Sequence, residues 1–174
     1  MRYGNCFVVN AGPWSGEYEF EKWNIISVPE NPGVYMLCIA RESGYRWVKR
    51  GGNWYLEEMR QASGLEVIIR QKLWKVVRLT YIGQTNNLRE RLLQHLNNPN
   101  NKCVKKLLEL DIPLTFRFLS RGNPEASELK AYNKFCEETG LCPPCDCNSP
   151  QCKSLVSNGK CLGGKTIINI DEVC

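Results

Sequence analysis

The sequence lacks the features that would identify a membrane or a secreted protein. No apolar run approaches the roughly 20 residues of a membrane-spanning helix, so we expect no membrane partner. The N-terminus has one basic residue, and its apolar stretch from Cys6 to Val9 is too short for a signal peptide. These absences favour a cytoplasmic location. Histidine is nearly absent as well, since His95 is the single one, and this excludes a metal site built on several histidines.

The chain does have enough apolar residues for a core, and its charge is unevenly distributed. With 174 residues, 43% of them hydrophobic, it suits one domain with an appendage. The net charge is +5, and residues 41–80 alone hold nine lysines and arginines against four acidic residues. A basic segment suits a polyanionic partner, although a solvated surface is the commoner role of excess charge.

Three segments have the pattern of strands. Turn residues end at Gly33, and the almost unbroken apolar run that follows, 34–40, predicts a strand buried on both faces. Residues 76–82 are rich in β-branched side chains and stop before a glycine. Residues 114–119 alternate in polarity, which predicts a half-exposed strand. The expected fold is a small α/β (α+β) domain, with a three-stranded, mainly antiparallel sheet flanked by helices.

The helices that flank this sheet are marked by their caps. Asn87 precedes a helix whose leucines recur every four residues, and Arg91 and His95 form a second stripe beside them. Asn123 begins the last long helix, and Gly140 ends it. The polar stripe therefore begins a few residues after the second predicted strand.

The order of these elements resembles the GIY-YIG nuclease family. Gly33-Val34-Tyr35 corresponds to the first half of the family motif, and Tyr81-Ile82-Gly83 to the second. The family arginine comes ten residues after the second tyrosine, at Arg91, and homing-type members carry a histidine four residues later, at His95. The metal-binding glutamate near the start of the helix after the third strand corresponds to Glu128. The resemblance covers about residues 28–40 and 77–146.

This resemblance implies a metal-dependent endonuclease that acts on duplex or branched DNA. Tyr35 would help to deprotonate the attacking water, Tyr81 would orient water or phosphate, and His95 would assist proton transfer. Arg91 would stabilise charge on the phosphate, and Glu128 would bind one Mg²⁺ or Mn²⁺ near the leaving oxygen. Taken singly, each of these residues has an ordinary structural alternative, such as a packed tyrosine or a solvated arginine. Their combined spacing is what is specific.

A long insertion, residues 41–76, separates the two halves of the motif where the family usually has a short hairpin. Residues 45–48 have the pattern of a strand, and residues 56–72 hold good helix formers. Its cations and aromatics suit contact with nucleic acid, while covering a sheet edge is an equally weighted alternative. The candidate DNA-binding residues are Arg46, Lys49 and Arg50 in the insertion, and Arg89, Lys102, Lys105 and Lys106 beyond it.

The end of the domain departs from the family, which has an asparagine just after a proline that follows the last helix. Here Pro143-Pro144 are followed by Cys145-Asp146-Cys147-Asn148. Either Asn148, after a small shift, or Asp146 would take the structural role of that asparagine. By composition, the chain divides into an N-terminal extension (1–27), a GIY-YIG-like domain (28–148) and a Cys-rich tail (141–174).

The ten cysteines fall into two groups. Cys6, Cys38, Cys103 and Cys136 are scattered in apolar contexts, and we interpret them as small buried hydrophobes. The other six crowd the end of the chain, which in a cytosolic protein indicates metal before disulfides. With no histidine nearby, a structural Zn²⁺ would need four thiolates, and disulfides, free thiols or an iron–sulfur cluster are the alternatives. The candidate zinc ligands are Cys142, Cys145, Cys147, Cys152 and Cys161.

Two other classes of function fit part of the pattern. A non-catalytic nucleic-acid-binding module of the same fold would bind DNA without turnover, although the intact set of motif residues argues against it. A secreted domain stapled by disulfides, with no nuclease role, would explain the cysteines by themselves. A Mg²⁺-dependent nicking assay separates the first from an enzyme, and a count of free thiols tests the second.

Overall fold

The computed structural model describes residues 6–7, 13–59, 76–146, 148–162, 164–169 and 172–173. The helices within these ranges are α1 (Lys22–Ile25), α2 (Leu88–Asn97), α3 (Lys102–Glu109), α4 (Pro124–Thr139) and α5 (Pro150–Ser157), with short 3₁₀ turns at Arg41–Ser43 and Pro144–Asp146. The strands are β1 (Tyr18–Glu19), β2 (Gly33–Ile39), β3 (Tyr45–Arg50), β4 (Asn53–Glu58), β5 (Val76–Val77), β6 (Leu79–Thr85), β7 (Leu114–Ser120), β8 (Thr166–Asn169) and β9 (Glu172–Val173). None of the described helices combines the length and the apolar composition needed to cross a membrane.

The first sheet contains the three strands that the sequence predicted, but the strand predicted at residues 76–82 is observed as Leu79–Thr85, and Val76–Val77 belong to a second sheet. The order of the first sheet is β1-β7-β2-β6, and all neighbouring strands are antiparallel. The central strand β2 is buried along its whole length, as its apolar run indicated. The prediction of three strands needs one correction, because Tyr18 and Glu19 pair with the edge of β7 and make a fourth.

The helices begin and end where their caps predicted. The Asn87 side chain accepts a hydrogen bond from the Glu90 backbone at the start of α2, and Asn123 does the same for Ala126 at the start of α4. Gly140 ends α4 in the left-handed conformation that favours glycine. Both helices pack against β2 and β6, so their side chains reach the two motif strands.

The insertion forms most of a second sheet, with the order β5-β3-β4-β8-β9. The strand predicted at residues 45–48 is confirmed by β3. The helix predicted from Leu56 is wrong at its beginning, because residues 56–58 continue β4 after the tight turn at Gly51-Gly52. The remainder of that prediction, residues 60–72, lies outside the described residues.

Two buried tryptophans join the insertion to the rest of the domain. The Trp47 indole donates to the Thr80 hydroxyl at 2.9 Å, and the Trp54 indole donates to the Cys142 carbonyl at 2.8 Å. Trp54 also pairs with Thr166 where β4 meets β8 in parallel register. Both tryptophans therefore serve packing, which favours the sheet-covering alternative for this part of the insertion.

The cysteine predictions need correction. Within the described residues, eight cysteines form four disulfides whose Cα–Cα distances run from 5.2 to 5.9 Å, within the ordinary range: Cys6–Cys38, Cys103–Cys145, Cys136–Cys161 and Cys142–Cys152.

Cys142, Cys145, Cys152 and Cys161 cannot supply thiolates to zinc because their sulfurs are bonded to each other or to the scattered cysteines, so the zinc prediction is wrong for them. Cys147 lies outside the described residues. The scattered cysteines are buried, as predicted, but they are disulfide partners and not free hydrophobes.

Candidate active site

The pairing of β2 with β6 brings the two motif tyrosines together. Tyr35 lies directly opposite Gly83, and Tyr81, two residues before that glycine, faces the same side of the sheet. The ring centroids of the two tyrosines are 5.9 Å apart. A Cβ atom at Gly83 would overlap the Tyr35 phenol and the Tyr81 ring. The glycine of the second motif half is therefore required so that the tyrosines can approach each other.

Helix α2 adds a histidine and an arginine above these tyrosines. The Tyr35 hydroxyl lies 2.8 Å from His95 Nε2, and Arg91 Nε donates to the same hydroxyl at 3.3 Å. The guanidinium also donates to the Gln94 amide oxygen at 2.5 Å. Arg91 and His95 reach one atom because residues four apart lie on the same face of a helix. The polar stripe seen in the sequence thus becomes one side of the site.

The electrostatics of the site keep both Tyr35 and His95 neutral. Burial raises the pKa of Tyr35 well above its usual range. Burial, together with the nearby charge of Arg91, lowers the pKa of His95 to about 4. Because Arg91 donates to the Tyr35 oxygen, the phenol proton is available to Nε2, and neutral His95 can accept it. A chain of hydrogen bonds therefore runs from Arg91 through Tyr35 to His95.

Glu128 on α4 is a buried carboxyl group with one oxygen that forms no hydrogen bond to the described residues. The side chain is 4% exposed, and its Oε1 has no hydrogen-bond partner among the described residues. Burial, with a smaller effect from Glu125, raises the pKa of Glu128 to about 7. A buried carboxyl with an unused oxygen fits a hard divalent cation, since Mg²⁺ is commonly held by one or two carboxylates together with waters and substrate phosphates. The residues present therefore fit the metal that the resemblance implied.

Of the two alternatives for the family asparagine, Asp146 contacts the second motif strand, whereas Asn148 is exposed. Asp146 Oδ2 accepts a hydrogen bond from the Ile82 amide at 2.8 Å, and the Tyr132 hydroxyl donates to the Ile82 carbonyl at 3.3 Å. Strand β6 is an edge strand, so these two side chains satisfy backbone groups that no neighbouring strand can reach. They fix the backbone between Tyr81 and Gly83. The sequence offered Asp146 only as one of two alternatives, and nothing in it singled out Tyr132 beyond the apolar face of α4.

The three basic residues predicted in the insertion make contacts within the protein. Lys49 donates to the Thr139 carbonyl at 2.6 Å, at the end of α4 where a helix attracts a cation. The half-buried Arg46 donates to two backbone carbonyls of its own turn and strand. Arg50 pairs with Glu57 on the neighbouring strand at 2.5 Å. Their role in DNA binding stays a prediction, and each would have to give up a contact to fulfil it.

The other predicted DNA-binding residues lie on α2 and α3. Arg89 donates to the Val28 carbonyl at 2.8 Å and lies beside Glu30. Lys102 and Lys105 are exposed on α3, and Lys106 is half-buried. The lysines Lys102 and Lys105 of α3 are thus accessible to a nucleic acid.

Comparison with known families agrees with this geometry. Residues 68–133 match the GIY-YIG catalytic domain. The match includes Tyr81, Arg91, His95 and Glu128, and the pairing of β2 with β6 adds Tyr35 from the preceding part of the chain. The resemblance drawn from the motifs is therefore confirmed by a family match over this part of the chain. No curated protein and no solved structure matches the chain.

Proposed function

We propose that the protein is a divalent-metal-dependent DNA endonuclease that hydrolyses a phosphodiester bond between Tyr35, Tyr81, Arg91, His95 and Glu128. The observation that carries this proposal is the set of hydrogen bonds at the Tyr35 hydroxyl, 2.8 Å from His95 Nε2 and 3.3 Å from Arg91 Nε. A buried hydroxyl between a cation and a proton acceptor is arranged for proton transfer next to a phosphate.

The two tyrosines differ in their access to substrate. Tyr81 is half-buried and Tyr35 is fully buried, so Tyr81 would meet the water and the phosphate first. As the water oxygen attacks phosphorus, its proton would pass to the Tyr35 oxygen while the Tyr35 proton moves to His95 Nε2. The bond from phosphorus to the leaving oxygen then breaks. His95 is ready to accept because it is neutral.

Arg91 would link the phosphate to this proton path. Its guanidinium can pair with non-bridging phosphate oxygens, which stabilises charge that develops in the transition state. Burial is the main cause of the lowered pKa of His95, and the phosphate would offset the smaller contribution from the charge of Arg91. Substrate binding would therefore make His95 a better proton acceptor.

Glu128 would hold the divalent cation, Mg²⁺ or Mn²⁺. When bound, such a cation neutralises charge near the leaving oxygen. The role of the protein is to present Glu128 Oε1 without a competing hydrogen bond. Its raised pKa means that the carboxyl is only about half-ionised near pH 7 without the cation.

DNA as the substrate is supported by the net charge of +5 and by the exposed lysines Lys102 and Lys105 on α3. The test compares cleavage of labelled duplex, branched and single-stranded DNA with Mg²⁺ and with a chelator. We expect Mg²⁺-dependent cleavage of duplex or branched DNA, and its loss in Glu128→Gln. Binding of DNA without any cleavage would instead favour the non-catalytic module.

The disulfides are relevant to the alternative of a secreted domain without a nuclease role. Stapling by disulfides was one expectation for a secreted domain without nuclease activity, and the family match supports a nuclease that carries such staples. Disulfides persist in oxidising environments, so the expected cytoplasmic location needs a direct test. Rapid alkylation of thiols in intact cells, followed by mass spectrometry of Cys103 and Cys145 peptides, would give their oxidation state where the protein works.

A further inference from the structure

The guanidinium of Arg91 is held in the candidate active site through two of its nitrogens. Nε donates to the Tyr35 hydroxyl at 3.3 Å, and Nη1 donates to the Gln94 amide oxygen at 2.5 Å. The contact at Nε by itself would let the group rotate about the bond from Nε to Cζ, and the contact at Nη1 stops that rotation. The orientation of the guanidinium therefore depends on Gln94 as well as on Tyr35.

The helix places Gln94 where it can do this. Gln94 follows Arg91 by three residues on α2, so the two side chains lie on one face of the helix. Such a pair on a solvated helix face stabilises the helix only slightly. Here both side chains are half-buried, and the partner of Gln94 is also bonded to the buried Tyr35. The pair therefore acts on the site and not only on the helix.

The neutral amide of Gln94 suits a residue that must orient a cation for an anionic substrate. A guanidinium has only donors, so the oxygen of the Gln94 amide has to face it. A carboxylate at this position would also accept from Arg91, but it would offset the positive charge that Arg91 offers to a phosphate. The amide accepts the hydrogen bond and leaves that charge in place.

The other N–H groups of Arg91 are the ones that can meet a substrate. Tyr35 and Gln94 each take one N–H donor, and the guanidinium has further donors on Nη1 and Nη2. Tyr81, the more exposed of the two motif tyrosines, is within hydrogen-bonding reach of the same group. Because the guanidinium is planar and rigid, the two fixed donors determine the direction of the others.

We propose that Gln94 is a positioning residue for Arg91, a neutral acceptor that turns the guanidinium toward the scissile phosphate. The proposal rests on the proposed nuclease function and adds to that site a residue outside the motif positions. Gln94 would act only through Arg91, so its loss should matter only while Arg91 is present. A fixed guanidinium would meet the phosphate without first losing its rotational freedom.

The first experiment follows Arg91 itself and needs neither DNA nor cleavage. Rotation about the bond from Nε to Cζ is measured by ¹⁵N NMR of the arginine side chains in the oxidised full chain, and Arg91→Lys assigns the signal by its absence. We expect rotation at least about fivefold faster in Gln94→Met, the factor that one typical hydrogen bond contributes. Gln94→Glu, which keeps an acceptor, should retain slow rotation. The matched control is Asn97→Met, an exposed position at the end of α2, which should rotate as the wild type does.

The second experiment measures cleavage of duplex DNA with Mg²⁺. Gln94→Met should lower kcat by about tenfold or more, because a misdirected guanidinium meets the phosphate less often. KM should change by less than about threefold, because other phosphate contacts dominate binding. In an Arg91→Ala background, the same substitution should change the rate by less than about twofold. At saturating DNA, Gln94→Glu should also be slow, whereas Asn97→Glu, which adds the same charge outside the site, should cleave as the wild type does.

The outcomes separate the two proposals. Unchanged rotation of Arg91 in Gln94→Met, equal slowing by Gln94→Met with and without Arg91, or full activity of Gln94→Glu would overturn the role of Gln94. Normal cleavage by Gln94→Met counts against Gln94 alone. Faster rotation in that variant, with no cleavage of any DNA by the wild type, counts against the nuclease function alone.

Discussion

Replacement of Glu128 by glutamine tests how the buried carboxyl of α4 is used. The amide has the same shape, yet it is a poor ligand for a hard divalent cation. We expect cleavage to slow by about a thousandfold or more, which corresponds to about 4 kcal/mol of transition-state stabilisation. Affinity for duplex DNA should change by less than about threefold, because phosphate contacts by lysines and arginines dominate binding.

The same substitution has a second, independent signature in the stability of the metal-free protein. The pKa of Glu128 is about 7 in the folded chain, against a reference of 4.5, so the folded state binds more protons between those pH values. The free energy of unfolding should therefore fall as the pH rises from 4.5 to 7, by up to about 3 kcal/mol from this group. Glu128→Gln has no such proton, so this part of the pH dependence should disappear. Mn²⁺ should bind the wild type more tightly as the pH rises toward 7, because cation and proton compete for the carboxylate.

Three measurements cover these effects: initial rates of plasmid nicking with Mg²⁺, calorimetric Mn²⁺ binding, and urea unfolding at pH 5 and pH 8. The control is Glu137→Gln, an exposed carboxylate near the other end of the same helix, which should behave as the wild type in all three. Cleavage by Glu128→Gln within about tenfold of wild type, with unchanged Mn²⁺ affinity, would refute the metal-binding role.

Other parts of the site make separate predictions. Tyr35→Phe removes one oxygen, and we expect cleavage to slow by about a hundredfold or more. Urea unfolding should show a loss of about 1–3 kcal/mol in the free energy of unfolding, because His95 and Arg91 lose a buried partner. Normal cleavage would mean that Tyr35 serves packing only. Because the pKa of His95 is about 4 in the folded state and 6.5 unfolded, stability should fall as the pH drops from 6.5 to 4, by up to about 3 kcal/mol. His95→Gln should flatten this limb, and an unchanged limb would contradict the assignment. Cys103→Ser should lower the free energy of unfolding by about 2–5 kcal/mol, and a non-reducing peptide map of the wild type should contain Cys103 linked to Cys145; alkylation of both without reductant would exclude the bond.

The candidate site could be predicted from the sequence because its residues come from local patterns. The apolar run of β2, the β-branched run before Gly83 and the stripe on α2 each follow from a short-range period, and the family resemblance places Tyr35, Tyr81 and Arg91 on these elements. The pairing of Gly83 with Tyr35 explains why the motif requires a glycine at this position. The strand register places Gly83 opposite Tyr35, and a side chain there would push the tyrosines apart.

What the sequence did not reveal depends on partners far apart in the chain. Cys103 and Cys145 are 42 residues apart, and nothing in the spacing of the tail cysteines indicates that two of them pair with cysteines before the tail. The pairing of β4 with β8 joins Trp54 to Thr166 across the domain, so the second sheet could not be inferred from the insertion alone. Asp146 acquires its role only because β6 is an edge strand whose Ile82 amide would otherwise lack a partner.

The most direct test of the account is cleavage of supercoiled plasmid by the oxidised wild-type protein with Mg²⁺, against the same reaction with a chelator and with Tyr35→Phe. The account predicts nicked and then linear plasmid with Mg²⁺, no product with the chelator, and a strongly reduced rate for Tyr35→Phe. Plasmid that stays supercoiled with both Mg²⁺ and Mn²⁺ while the protein binds it, or equal cleavage by Tyr35→Phe, would contradict the assignment of this site to phosphodiester hydrolysis.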